Sequence, residues 1–132
     1  MTLTHLNPPT LHTNPAFSQG VLVKGPCDLL FVGGQNGVGP DGAVVSEDVG
    51  TQAVQALRNV IAVLESVGAT QADVAKLTVH VVAGTDVAST YRASQEVWGQ
   101  HPTAITVLQV AGLARPDAFV EVDAVAQVPS DR

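Results

Sequence analysis

Ala118-Phe119-Val120-Glu121-Val122-Asp123-Ala124-Val125-Ala126-Gln127-Val128, the last apolar run of the chain, repeats with the period of a strand. Successive strand side chains point to opposite faces. Val120, Val122, Ala124 and Ala126 therefore share one face, and Phe119, Glu121, Asp123 and Val125 share the other. Upstream, residues 104 to 110 and 29 to 32 are apolar on both faces, the pattern of strands covered on two sides.

The cover on one side comes from helices. Between residues 48 and 67, Val49, Ala53, Leu57, Val60, Ile61 and Leu64 recur at three- and four-residue steps, with Gln52, Gln55, Arg58, Asn59 and Glu65 mostly off that stripe. Glu47 and Asp48 stand where the helix dipole favours negative charge, and Gly68 is placed to end the helix. Thr70-Gln71-Ala72-Asp73 has capping-box spacing and predicts a single turn, followed by a strand over 76–82. A second helix is predicted over 86–99, carrying Val87, Tyr91, Ser94, Val97 and Trp98 at helical spacing and stopped by Gly99 and Pro102. Nearer the start, Val21-Leu22-Val23 and the 29–32 run flank Lys24-Gly25-Pro26-Cys27-Asp28, which predicts a hairpin, while residues 1–16 read as an irregular arm.

The order is β-β-α-β-α-β-β in a single domain of 132 residues, an α+β fold with one mixed sheet and two helices on one face. Two helices cover only one side of such a sheet, so its other side must meet another copy or another protein. The charge content agrees: 14% of residues are charged, against about 25% in ordinary soluble domains.

Net charge −6 with six scattered cations (Lys24, Arg58, Lys76, Arg92, Arg115, Arg132) makes a nucleic-acid partner unlikely. The Pro-interrupted start lacks the form of a signal peptide, and no stretch is apolar enough to enter a membrane. A single cysteine, Cys27, fits a reducing cytoplasmic location. Gly37-Val38-Gly39-Pro40-Asp41-Gly42 matches G-x-G-x-x-G but does not open into a helix, so it reads as a hairpin-like loop with Asn36-Gly37 and Asp41-Gly42 as turn dipeptides. His5, His12, His80 and His101 lack metal-ligand spacing, and neither a metal nor another cofactor is expected. Glu121 and Asp123 are the carboxylates of interest. They occupy the face the helices cannot cover, where a carboxylate is solvated at a strand end, pairs with Arg92 or Lys76 of a neighbour, or does proton chemistry.

Phe31-Val32-Gly33-Gly34-Gln35, Ala56-Leu57-Arg58-Asn59-Val60, Lys76-Leu77-Thr78-Val79-His80-Val81 and Arg115-Pro116-Asp117-Ala118-Phe119-Val120-Glu121-Val122-Asp123-Ala124-Val125-Ala126 together resemble the RidA/YjgF family over about residues 14–128. The resemblance implies a homotrimer of chorismate-mutase-like fold, with three sheets forming an inner barrel and small-molecule clefts between subunits. It also implies hydrolysis of reactive enamines and imines, such as 2-aminoacrylate, to the 2-oxo acid and ammonia. Glu121 matches the family Glu that holds the attacking water, and Gly34 with Gln35 matches its Gly-Gln.

Elsewhere the chain departs from the pattern. The position of the family's carboxylate-binding Arg falls on Ile105, its aromatic hydroxyl on Phe17, its Ser/Thr on Gly33 and its helix Asn on Tyr91. With Val107, these residues would line the clefts. An anionic 2-imino acid loses its anchor when Arg becomes Ile. The expectation is therefore an imine or enamine hydrolase for another substrate, or alternatively a noncatalytic ligand-binding or interaction trimer. A 2-iminobutanoate/2-iminopropanoate deaminase or an endoribonuclease fits less well.

Overall fold

The computed structural model describes residues 3–129; Met1 and Thr2 of the expected arm, and Arg132 among the cations, lie outside the described residues. Strands β1 (Leu3–Leu6), β2 (Gly20–Val23) and β3 (Cys27–Asn36) are followed by helix α1 (Val49–Glu65) and a 3-10 turn (Gln71–Asp73). Then come β4 (Val74–Val82), α2 (Val87–Trp98), β5 (Ala104–Val110) and β6 (Val120–Pro129). The main sheet has the order β3-β6-β4-β5. β6 runs antiparallel to both its neighbours, whereas β4 and β5 are parallel, with α2 as the crossover that parallel pairing requires.

Two expectations are corrected at the N-terminus. The arm is not wholly irregular, because β1 forms a separate two-stranded ribbon with β2, Leu3 facing Val23 and Leu6 facing Gly20. Consequently β2 and β3 do not form the expected hairpin. β3 instead pairs with β6 from Cys27 opposite Pro129 to Asn36 opposite Glu121. That ladder is much longer than any a four-residue β2 could offer, so more backbone groups find partners.

Helix α1 starts where the acidic pair predicted. Asp48 is its N-cap, and its Oδ2 accepts from the Thr51 hydroxyl and the Thr51 backbone N–H, each at 2.8 Å. Those bonds, the hydroxyl's first, hold the Asp48 carboxyl below the usual carboxylate range. Gly68, at φ +73°, follows the helix in the left-handed conformation that favours glycine. Ala53, Ala56, Leu57, Val60 and Leu64 are buried against the side of β6 that carries Val120, Val122, Ala124 and Ala126, which forms the core. Each large aliphatic side chain buried there contributes on the order of 1.5–3 kcal/mol.

The polar side of α1 is not simply solvated. Gln52 is 0% exposed. Its Nε2 donates to Ser46 O (2.8 Å) and Asp117 O (3.1 Å), while its Oε1 accepts from Phe119 N (2.8 Å). Asn59 Nδ2 donates to Asn36 O (3.2 Å) and Val38 O (2.9 Å). These amides fasten the helix to the end of β3 and the approach to β6. Gly37 is required for the same closeness, since a Cβ there would lie 2.6 Å from Gln52 Cα. The Asn36-Gly37 pair thus packs on a helix and also turns as expected, with Val38 N donating to Asn36 O at 2.8 Å across Gly37. Asp41-Gly42 does turn: Gly42, at φ +84°, donates to Gly39 O at 3.0 Å.

Candidate functional site

Helix α2 presents Val87, Thr90, Tyr91, Ser94 and Trp98 towards the sheet, a stripe at three- and four-residue steps. Opposite it, the β4 and β5 register sets Leu77 beside Ile105 and Val79 beside Val107. Helix and sheet do not close on each other there. Between them lies a cavity of about 380 Å³, lined also by Phe17 and by Val120 and Val122 of β6. It gathers four of the expected site residues, Phe17, Tyr91, Ile105 and Val107. Among the described residues, no charged side chain lines it. Arg92, the neighbour of Tyr91, points elsewhere, with its side chain 69% exposed and 3.9 Å from Asp86.

Glu121 faces the other way. Its neighbours Val120 and Val122 turn into the core, so strand alternation puts Glu121 on the sheet face that carries no helix. Asn36 Nδ2 donates to Glu121 Oε1 at 3.1 Å and lies 3.3 Å from Val120 O. A Cβ on Gly34 would come within 2.7 Å of Glu121 Cδ and Oε2, so the carboxylate rests directly over the Gly34 backbone. A β-bulge between Val32 and Gln35 brings this glycine under it. His80 on β4 is in register with Glu121, and its buried Nδ1 has no hydrogen-bond partner. Asp123 is in register with Thr78. Within the chain, Lys76 donates to Thr106 Oγ1 at 2.5 Å, and Arg92 is the exposed residue beside Asp86.

The expected residues thus fall into two sets on opposite faces of one sheet: Phe17, Tyr91, Ile105 and Val107 by α2, and Gly34 with Glu121 behind. Gly33 is exposed, with no atom within 4 Å of where its Cβ would be. Gln35 belongs to neither set. Its Nε2 donates to Gly33 O at 3.3 Å, and it lines an open polar depression with Asn36, Gln55, Asn59 and Arg115. Arg115 is held there by Asp117 Oδ1 (2.9 Å) and Gly42 O (2.8 Å). Reasoning from sequence missed Asn36, which reads as a turn residue beside Gly37, and His80, whose place opposite Glu121 depends on inter-strand register. It also gave no role to Thr90 and treated Trp98 only as part of a helical stripe.

Comparison with known proteins gives a consistent result. Residues 10–128 match the family model described as endoribonuclease L-PSP. A RutC family protein of Pyrococcus abyssi is 31% identical over 111 residues, covering 83% of this chain and 84% of that protein. The 2-iminobutanoate/2-iminopropanoate deaminase of Salmonella typhimurium is 31% identical over 100 residues, 74% of this chain and 78% of the enzyme. Among solved structures, a protein of unknown function of the conserved Rid family from Yersinia pestis superposes with a TM-score of 0.84 at 29% identity, covering 96% of this chain and 98% of its own.

Proposed function

Because the chain belongs to the RidA/YjgF family, whose model is described as endoribonuclease L-PSP, we propose that it is an imine or enamine hydrolase whose sites form between copies of the chain. One observation carries this: Glu121 and the Ile105 cavity lie on opposite faces of one sheet. A single copy cannot bring its own two sets together, whereas a neighbour can place its Glu121 face against the mouth of the cavity. Phe31, 70% exposed on the face without helices, supports such packing, and the family resemblance favours three copies.

In that site the Glu121 carboxylate, held by Asn36 over Gly34, accepts a proton from water as the oxygen attacks the imine carbon. Glu121 passes that proton to the nitrogen, giving the neutral carbinolamine, and then relays the hydroxyl proton to the same nitrogen as the C–N bond breaks, giving the carbonyl compound and ammonia with the carboxylate restored. Nothing on the Ile105 wall neutralises a substrate carboxylate, so the favoured imine lacks one. Ribonuclease activity is disfavoured by the net charge of −6.

The test follows imine decay in coupled assays. An amine oxidase supplies carboxylate-free imines, and an amino-acid oxidase supplies 2-imino acids. The protein should accelerate decay of the first kind, and Glu121→Gln should abolish that acceleration. Acceleration of 2-imino acid decay to the level of the Salmonella typhimurium deaminase would overturn the substrate assignment, and unchanged turnover in Glu121→Gln would remove Glu121 from the mechanism. Ligand-induced thermal stabilisation without turnover would instead establish the noncatalytic binding trimer.

A further inference from the structure

We infer that the cavity beneath α2 takes an uncharged ligand with two parts: an apolar group seated against α1 and the sheet, and a hydrogen-bond acceptor read by the Trp98 indole. The inference rests on the functional reading above and specifies what that site admits. Three observations carry it.

The first is size and depth. At about 380 Å³ the cavity falls in the range of roughly 300–1,000 Å³ usual for small-molecule sites. It reaches past Ile105 and Val107 to Ala53 and Leu57 of α1. The second is electrostatic. With no cation among the described residues of the wall, an entering carboxylate would exchange water for hydrocarbon without a counter-charge, whereas an amide, ketone or neutral imine would lose far less.

The third is an unmet donor. Trp98 is 5% exposed and lines the cavity, yet its Nε1 has no hydrogen-bond partner. An indole N–H can only donate, so its missing partner must be an acceptor. Thr90, 7% exposed, also lines the cavity and has an unpartnered Oγ1. It stands eight residues earlier on α2, about 12 Å along the axis, and marks a second polar point at the far end of the same wall. Buried polar groups in native proteins are nearly always paired. Two unpaired on one cavity wall point to an occupant that pairs them.

Trp98 is the one tryptophan of the chain, so its indole N–H gives a single cross-peak in a ¹⁵N–¹H spectrum, and that peak reports directly on the cavity. The probes are 4-methylpentanamide and 4-methylpentanoate, which share a skeleton and differ in charge. The amide should shift the indole peak saturably, and the carboxylate should bind at least about tenfold more weakly. Trp98→Phe keeps an aromatic side chain but removes the donor, and calorimetry should then show amide binding weakened by about fivefold or more. Ile105→Arg should narrow or reverse the preference between the two probes.

A failure of the amide to shift the peak, or equal binding of the carboxylate, overturns the inference. Turnover that depends on Glu121 while neither probe moves the indole would leave the proposed hydrolase standing and remove this ligand assignment. Amide binding alongside unchanged turnover in Glu121→Gln would do the opposite.

Discussion

Replacing Gln52 by Leu should cost about 3 kcal/mol of folding stability, although the position looks like a solvated helix face in the sequence. The side chain is 0% exposed and makes three hydrogen bonds, to Ser46 O, Asp117 O and Phe119 N. Leucine fills nearly the same volume, so the loss comes from polar groups and not from a cavity. Three bonds at a net value of about 1 kcal/mol each give the figure, and the partly buried Phe119 N–H left without an acceptor adds to it. In urea, with a slope of about 2 kcal/mol/M for a small domain, the midpoint should fall by about 1.5 M. Protein concentration must be held fixed between samples, because assembly adds to apparent stability. Gln52→Glu should be at least as damaging at neutral pH, since a carboxylate would face two carbonyl oxygens where an amide now donates. A Gln52→Leu variant within about 0.5 kcal/mol of the parent would refute the reasoning and show these bonds to be exchangeable for water.

Gly34→Ala should leave the fold intact, because the clash falls on the free end of Glu121, but displacing that carboxylate by about 1 Å should lower imine turnover by about 10²-fold; retained turnover would show that the carboxylate is not needed where it lies. Gly37→Ala strikes the Gln52 backbone instead and should lower the thermal midpoint sharply, leaving little folded protein to assay. Asp48, with its carboxyl held low in the folded chain, stabilises α1 at pH values above the ordinary carboxylate pKa and loses that contribution as pH falls through its folded value. Thermal midpoints taken from about pH 6 down to about pH 3 should therefore fall more for the parent than for Asp48→Asn. Phe31→Glu places a charge on the helix-free sheet face and should yield smaller particles by light scattering with the secondary structure unchanged.

From β2 onward the element order, both helices, the 3-10 turn at Gln71–Asp73 and the closing strands were legible because each rests on local periodicity and capping, whereas β1 was not. Pairing was less so. Whether β2 joins β1 or β3 depends on which ladder is longer, and that comparison involves residues 100 positions away at β6. The same limit explains the amides. Asn59 looks like a solvated helix residue until the end of β3 is laid against it, and Gln52 until the approach to β6 is. At the site, Ile105, Phe17, Tyr91 and Val107 could be gathered by alignment with a family pattern, and they do meet at one cavity. Asn36 under Glu121 could not be foreseen, because it depends on the bulge that shifts β3 by one residue against β6. The unpartnered Trp98 N–H is likewise a matter of three-dimensional accounting, since a tryptophan at a helical spacing signals only a buried face.

If the sites form between copies, as proposed, the separation of Glu121 from the cavity by the thickness of a sheet has a genetic consequence. A subunit damaged at Glu121 and a subunit damaged at Ile105 each keep one intact half. In mixed assemblies some junctions would join the sound half of one to the sound half of the other. With random association in a closed ring, about one junction in four would be whole. Two alleles, each inactive alone, would then complement each other when expressed in the same cell, whereas two lesions on the same face would not.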